Sequence, residues 1–143
     1  MQTFSKFTIV LLGLILSSVS PAEAARLLVR IDLSSQSMTV SQDGAGLHRW
    51  PISSGRSGYR TPTGVFRPTR LARMWYSRKY NYSPMPHSVF FYGGYAIHGT
   101  NYVRRLGRPA SHGCIRLHPS HARILYNKVR RFGRSATTII IQH

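Results

Sequence analysis

Short segments with alternating or β-branched apolar residues recur along the chain, and turn-forming residues separate them. Segments of this kind predict β-strands. Residues 42–46 lie between two of these segments and have Asp-Gly at their centre, which predicts an antiparallel hairpin. The predicted strands cover residues 26–32, 38–41, 47–53, 65–66, 88–92, 95–97 and 137–141.

One segment has a helical period instead. Residues 119–129 begin with Pro119, which suits a first helical turn, and basic residues and Gly133 follow, as at a helix end. An apolar stripe with i, i+3, i+4, i+7 spacing runs along this segment, formed by Ala122, Leu125, Tyr126 and Val129. Together the elements predict a mainly β domain, a closed barrel or a sandwich-like sheet, with one or two helices.

Residues 67–85 are basic and aromatic without a clear period, and we predict a long loop or an irregular hairpin there. Long loops in compact domains often form lids over functional sites. Aromatic and basic side chains together suit single-stranded nucleic acid, a sugar or a peptide. They equally suit a loop whose rings pack against the core.

The N-terminus has the pattern of an export signal. Lys6 precedes an apolar run at residues 7–16 that is too short to cross a bilayer comfortably. A cleavage site of small residues then ends at Ala24. We predict a signal peptide at residues 1–24, with an uncleaved anchor helix as the alternative. Residues 25–143 would then form one domain with no membrane span of its own.

The chain is strongly basic, with 20 Lys and Arg against 3 Asp and Glu and a formal net charge of +17. Such a surface attracts polyanions, and the attraction weakens as salt rises. Because an exported protein meets anionic cell-wall polymers before nucleic acid, we expect no nucleic-acid partner. Without the leader, the side-chain carboxylates are Asp32 and Asp43, which nearly excludes paired-carboxylate chemistry and a hard-cation site.

Cys114 is the only cysteine, so it has no partner for an internal disulfide. On an extended segment it shares a face with His112 and Arg116, and Gly113 lets another segment approach closely. Nearby positive charge is expected to lower the thiol pKa from about 8.5. From these residues alone, a nucleophile and a buried structural thiol both remain open.

Two histidines, His98 and His112, compete for the role of a base beside that thiol. A base needs a third group to orient it. Because carboxylates are so scarce, a backbone carbonyl or a hydroxyl is the expected orienting group, and Asp32 is only a remote candidate for a Cys-His-Asp triad.

A zinc site is the main alternative to a nucleophilic role for Cys114. His98, His112 and Cys114 are ligand types, and His118 and His121 lie three residues apart. Their spacings match no strong zinc pattern. We therefore predict no metal and no cofactor, and we expect His118 and His121 on the solvent side of the helix.

Three blocks carry a resemblance to a known family. They are Ile-His-Gly-Thr-Asn at residues 97–101, Ser-His-Gly-Cys-Ile-Arg-Leu at residues 111–117 and Thr-Pro-Thr-Gly-Val-Phe at residues 61–66. Together they resemble the L,D-transpeptidase catalytic domain, also called the YkuD domain. The resemblance covers essentially all of residues 25–143, and the Ser-His-Gly-Cys block with its upstream His-Gly is its most specific part.

The resemblance implies a mostly β fold and a cysteine acyl-enzyme. Cys114 would be the nucleophile, and His98 the general base oriented by the Gly99 carbonyl. The backbone around His112, Gly113 and Cys114 would form the oxyanion hole, with His112 also shaping the pocket. The residues implied in substrate binding are Tyr95, Thr100, Ser111 and Arg116.

The substrate implied by the resemblance is a peptidoglycan stem tetrapeptide, which loses its terminal D-alanine. An amine then resolves the thioester: another stem gives a 3→3 crosslink, and a protein amine gives an outer-membrane protein attached to the wall. Two features resemble the Gram-negative branch of the family. Arg116 stands where much of the family has asparagine, and the interval from His98 to Ser111 is short. This resemblance implies the periplasm. The alternatives are a carboxypeptidase acting on the same bond, a non-catalytic basic wall-binding module and an exported nucleic-acid binder.

Overall fold

A computed structural model describes residues 26–143 of the chain. The predicted signal peptide therefore lies outside the described residues. A helix, α1, covers Pro119–Phe132, and a single 3-10 turn covers Val103–Arg105. The strands are β1 (Leu27–Asp32), β2 (Ser37–Gln42), β3 (Ala45–Pro51), β4 (Gly64–Phe66), β5 (Arg70–Ser77), β6 (Ser83–Tyr92), β7 (Tyr95–Gly99), β8 (Ile115–Leu117) and β9 (Thr137–Gln142).

The strands form two sheets. The first has the order β3-β2-β1-β9-β4, with β1 and β9 parallel and the other pairs antiparallel. The second has the order β5-β6-β7-β8, with β7 and β8 parallel. Helix α1 packs against β6 and β7. In the described part of the chain the sheets form a sandwich, so the sandwich-like alternative is confirmed and the closed barrel is wrong.

One apolar core joins both sheets and the helix. On β1 and β9 the inward residues alternate with more exposed ones, as expected for strands with one face in the core. The apolar stripe predicted for α1 is buried in the same core. Pro119 is the first residue of the helix as predicted, and Gly133 ends it with a φ of 92°. The rigid core thus supports the loops between its strands.

Of the two alternatives predicted for residues 67–85, the hairpin is confirmed and the long loop is wrong. Strands β5 and β6 form an antiparallel hairpin, from Arg70 opposite Phe90 to Ser77 opposite Ser83. Strand β5 is the edge of its sheet and is largely exposed. An edge strand with no buried face is under little pressure to alternate apolar and polar residues, which is why its sequence shows no period.

The two helix-start histidines differ in exposure. His118 is exposed, as predicted, and its side chain caps the helix by accepting a hydrogen bond from Ser120 N–H. His121 is half-buried, and its ring stacks on Trp50 with centroids 4.8 Å apart, so its predicted solvent position is wrong. Within residues 26–143, the helical segment falls short of the length and apolarity needed to traverse a bilayer.

Candidate active site

The parallel pairing of β7 and β8 brings the His-Gly block and the Ser-His-Gly-Cys block together. Ile97 lies opposite Ile115, and His98 lies opposite Arg116. The same register places Cys114, the residue before β8, opposite Ala96. Because paired residues and residues two apart share a face of a sheet, Cys114, Arg116 and His98 are on one face.

These side chains line one cavity of about 680 Å³. The β5–β6 hairpin forms another of its walls, including Trp75 and Tyr80. No Asp or Glu side chain of residues 26–143 reaches the cavity wall. Six cations do, namely Arg56, Arg70, Arg78, Lys79, Arg105 and Arg116. The site is therefore positive and suits a ligand that carries carboxylates.

His98 is buried, and its Nδ1 lies 2.7 Å from the carbonyl oxygen of Gly99. A carbonyl only accepts hydrogen bonds, so Nδ1 carries the proton and Nε2 keeps its lone pair. Burial lowers the pKa of His98 to about 4; the Gly99 hydrogen bond opposes that shift, and the charge of Arg116 adds to it. At neutral pH His98 is an uncharged, oriented base.

The pKa of the Cys114 thiol is raised, chiefly by burial. A hydrogen bond from Ala96 N–H and the positive charge of Arg116 act in the opposite direction. The expectation of a lowered pKa is therefore wrong, because desolvation of a thiolate outweighs one neighbouring charge. The resting pair is a neutral thiol and a neutral imidazole.

This protonation state predicts slow alkylation of the free protein at neutral pH. We expect the rate of Cys114 with iodoacetamide, followed by mass spectrometry, to rise with pH to an inflection above that of free cysteine, because only the thiolate reacts. Glutathione alkylated in parallel is the control. Faster reaction of Cys114 than of glutathione at pH 7 would contradict the neutral pair.

Ser111 organises the backbone around the thiol. Its hydroxyl accepts a hydrogen bond from Gly113 N–H at 3.0 Å and donates one to the Cys114 carbonyl at 2.6 Å. The Gly113 N–H is thus already engaged, which disfavours its expected part in the oxyanion hole. The N–H of Cys114 has no hydrogen-bond partner within the described residues.

A comparison with models of protein families gives one match. The model of the L,D-transpeptidase catalytic domain matches residues 26–141. The chain belongs to this family. No curated protein matches the chain.

Solved structures of L,D-transpeptidases share the fold. Those from Mycobacterium smegmatis and Xylanimonas cellulosilytica are each 26% identical to this chain, with TM-scores of 0.75 and 0.71. Their matches cover 83% and 85% of this chain and 59% and 63% of theirs. A structure from Mycobacterium tuberculosis is 25% identical, with a TM-score of 0.73, covering 83% of this chain and 58% of that one. The chain thus spans less than two thirds of the length of each.

His112 of this L,D-transpeptidase domain lies in an aromatic slot. Its ring stacks on Tyr80 with centroids 4.1 Å apart and meets the edge of Tyr59 at 4.8 Å. Its Nε2 lies 3.4 Å from a guanidinium nitrogen of Arg56, which only donates, so this lone pair is occupied. His112 is therefore part of the cavity wall.

Tyr95, predicted to take part in substrate binding, does not line the cavity of the transpeptidase domain. Its ring instead packs against Gly113, where a Cβ would lie 2.7 Å from Tyr95 Cε1. Thr100 and Arg116 do line the cavity. Thr100 Oγ1 accepts from Tyr102 N–H at 3.1 Å, and Arg116 donates to the Ala110 carbonyl at 3.3 Å.

Two residues that support the backbone at Gly113 were given no role from the sequence. Thr61 Oγ1 donates to the Gly113 carbonyl at 2.8 Å and accepts from Gly55 N–H at 2.9 Å. A Cβ on Gly55 would lie 1.6 Å from the Tyr59 carbonyl oxygen and 3.1 Å from Gly113 Cα. The Thr-Pro-x-Gly block signals Thr61, whereas the need for Gly55 follows only from the folded contact.

Substitution of Gly113 tests this packing. We expect Gly113→Ala to destabilise the domain by about 1–3 kcal/mol, because φ is +120° and the new Cβ meets Tyr95. Gly46→Ala is the matched control, since nothing lies within 4 Å of its Cβ position. Thermal unfolding measures both. Equal midpoints for the two variants would contradict the tight contact.

Neither a carboxylate triad nor a metal cluster is found in the described residues. Asp32 accepts hydrogen bonds from Ser34 and Ser35 in the turn after β1, and the Gly99 carbonyl takes its suggested place beside His98. Across residues 26–143, no three His, Cys, Asp or Glu side chains are grouped as metal ligands.

Proposed function

We propose that this protein is an L,D-transpeptidase that acts on peptidoglycan stem tetrapeptides through a thioester on Cys114. The observation that carries the proposal is the placement of the Cys114 thiol and the His98 imidazole on one sheet face and in the wall of one cavity, with His98 Nδ1 fixed by the Gly99 carbonyl. Family membership and the positive cavity support the same substrate class.

In the first step, His98 Nε2 takes the proton of the Cys114 thiol as the sulfur adds to the carbonyl carbon of the third stem residue. The developing oxyanion receives a hydrogen bond from the Cys114 N–H, which has no other partner in the described chain. His98 then gives its proton to the amine of D-alanine, and the C–N bond breaks. The imidazolium formed when the thiol loses its proton is the donor to the leaving amine.

In the second step, an acceptor amine attacks the thioester carbonyl, and His98 Nε2 takes the proton that the amine loses. The C–S bond breaks and the proton returns to the sulfur of Cys114. A diamino acid of another stem as acceptor gives a 3→3 crosslink, and a protein amine gives an outer-membrane protein joined to the wall. Water as acceptor makes the enzyme a carboxypeptidase.

The location that we propose is the periplasm of a Gram-negative bacterium. The pattern of residues 1–24 supports export, and Arg116 together with the short interval before Ser111 supports the Gram-negative branch. The strong positive charge suits attraction to anionic wall polymers.

Mass spectrometry of residues 25–143 with disaccharide-tetrapeptide and excess glycine tests the function. We expect loss of terminal alanine with gain of glycine. Loss of alanine alone would establish hydrolysis instead. An unchanged substrate with retained binding to isolated wall would contradict catalysis and favour the wall-binding module.

A further inference from the structure

Arg70 differs from two other arginines that line the cavity. Arg56 contacts His112, and Arg116 donates to the Ala110 carbonyl. The Arg70 side chain makes no hydrogen bond within the described residues, and its partners are instead aromatic rings. Its five N–H donors are therefore available to a ligand.

Two rings hold the Arg70 guanidinium in place. Its central carbon lies 4.3 Å from the Trp75 ring centroid and 4.0 Å from that of Phe90. The two rings meet edge to face, with centroids 5.8 Å apart and an interplanar angle of 85°, so they form a corner around the cation. A guanidinium fixed in this way loses less rotamer freedom when it binds a planar anion.

The sheet register relates Arg70 to the thiol. Arg70 lies opposite Phe90, Phe90 opposite Ala96, and the register of β7 with β8 continues this row to Cys114. Strands are about 4.8 Å apart, so the guanidinium over Phe90 lies roughly 10 Å across the sheet from Cys114. That distance is about three residues of extended peptide.

We propose that Arg70, held by Trp75 and Phe90, determines specificity by binding a free carboxylate of the stem peptide. The inference rests on the proposed substrate class. A stem whose glutamate is linked through its γ-carboxyl keeps a free α-carboxylate, and a diamino acid with two carboxyl groups keeps a second one. Both are a few residue lengths from the bond that is cut, and a bidentate pair with Arg70 is the shared chemistry.

Calorimetric titration with tetrapeptide tests this inference without turnover. The Kd for tetrapeptide is compared between Cys114→Ala and the double variant Cys114→Ala/Arg70→Gln. We expect the second to raise Kd about tenfold, as for loss of one charge-assisted hydrogen-bond pair. Cys114→Ala/Arg73→Gln is the matched control, because Arg73 is on the same strand but does not line the cavity, and its Kd should change less than about twofold.

Amidated stems identify the carboxylate. One stem is amidated at the glutamate and another at the diamino acid. Only the stem that has lost the carboxylate bound by Arg70 should show a raised Kd with the Cys114→Ala protein. With that stem, Arg70→Gln should have no further effect on Kd. Equal binding with and without the Arg70→Gln substitution, or an effect of that substitution that persists with both amidated stems, would overturn the inference. If the Cys114→Ala variants show the expected binding pattern but the unmodified protein does not exchange alanine for glycine, the proposed function is refuted and the inference about Arg70 stands.

Discussion

Cys114→Ala is expected to lower the rate of alanine-for-glycine exchange by about 10³-fold or more, because the substitution removes the atom that forms the thioester. The thiol is partly exposed and packs against a small cluster that includes Phe90 and Ala96. We therefore expect the fold to persist, with a thermal midpoint within a few degrees of the unmodified protein.

Exchange is measured by mass spectrometry with tetrapeptide and glycine. Cys114→Ser is the companion variant, because the serine hydroxyl is close in size to the thiol that it replaces but is a poorer nucleophile. Exchange by Cys114→Ala at the unmodified rate would remove the nucleophile assignment. A structural thiol would instead show full activity with lowered stability.

The second large effect is expected for His98→Gln, with a loss of about 10²–10⁴-fold in exchange rate. Glutamine retains an N–H that can reach the Gly99 carbonyl, so the buried acceptor keeps a partner. It lacks a basic nitrogen, so no base is left to take the proton of the Cys114 thiol.

His118→Gln is the matched control for His98→Gln. His118 is exposed and caps α1, so its loss should lower stability by about 1 kcal/mol or less and leave the exchange rate unchanged. The same assay and thermal unfolding measure both variants. Equal rate losses at the two positions would contradict the choice of base.

The strands that face the core could be predicted from the sequence because burial imposes a pattern on them. Residues 137–141 alternate between buried and half-buried positions in β9, and the stripe on α1 is buried as expected. Strand β5 has no buried face, so its sequence left a long loop and an irregular hairpin as alternatives. Its pairing with β6 is a product of the folded sheet.

The candidate site could be predicted in part. Short motifs pointed to Cys114 and His98, and the parallel pairing of their strands explains how they come together. The thiol pKa was misjudged because sequence neighbours show charge but not burial. The contact of Tyr95 with Gly113 could not be predicted, because it depends on the approach of two separate segments.

The features that could not be predicted from the sequence depend on contacts between segments that are far apart in the chain. Thr61 reaches the Gly113 carbonyl across 52 positions of sequence, and Arg70 meets Phe90 only through the hairpin register. No local pattern encodes either contact. The motifs pointed to the candidate residues, whereas the contacts that support them and the walls of the cavity could be seen only in the fold.

Trapping the acyl-enzyme tests directly whether Cys114 is the nucleophile. Residues 25–143 are mixed with tetrapeptide without an added amine, quenched in acid and analysed by intact-protein and peptide mass spectrometry. A thioester on Cys114 would add the mass of the stem, less its terminal alanine, to the peptide that contains Cys114, and we expect this adduct. Turnover with the acyl group on another residue, or with no covalent adduct on rapid quenching, would contradict this role of Cys114.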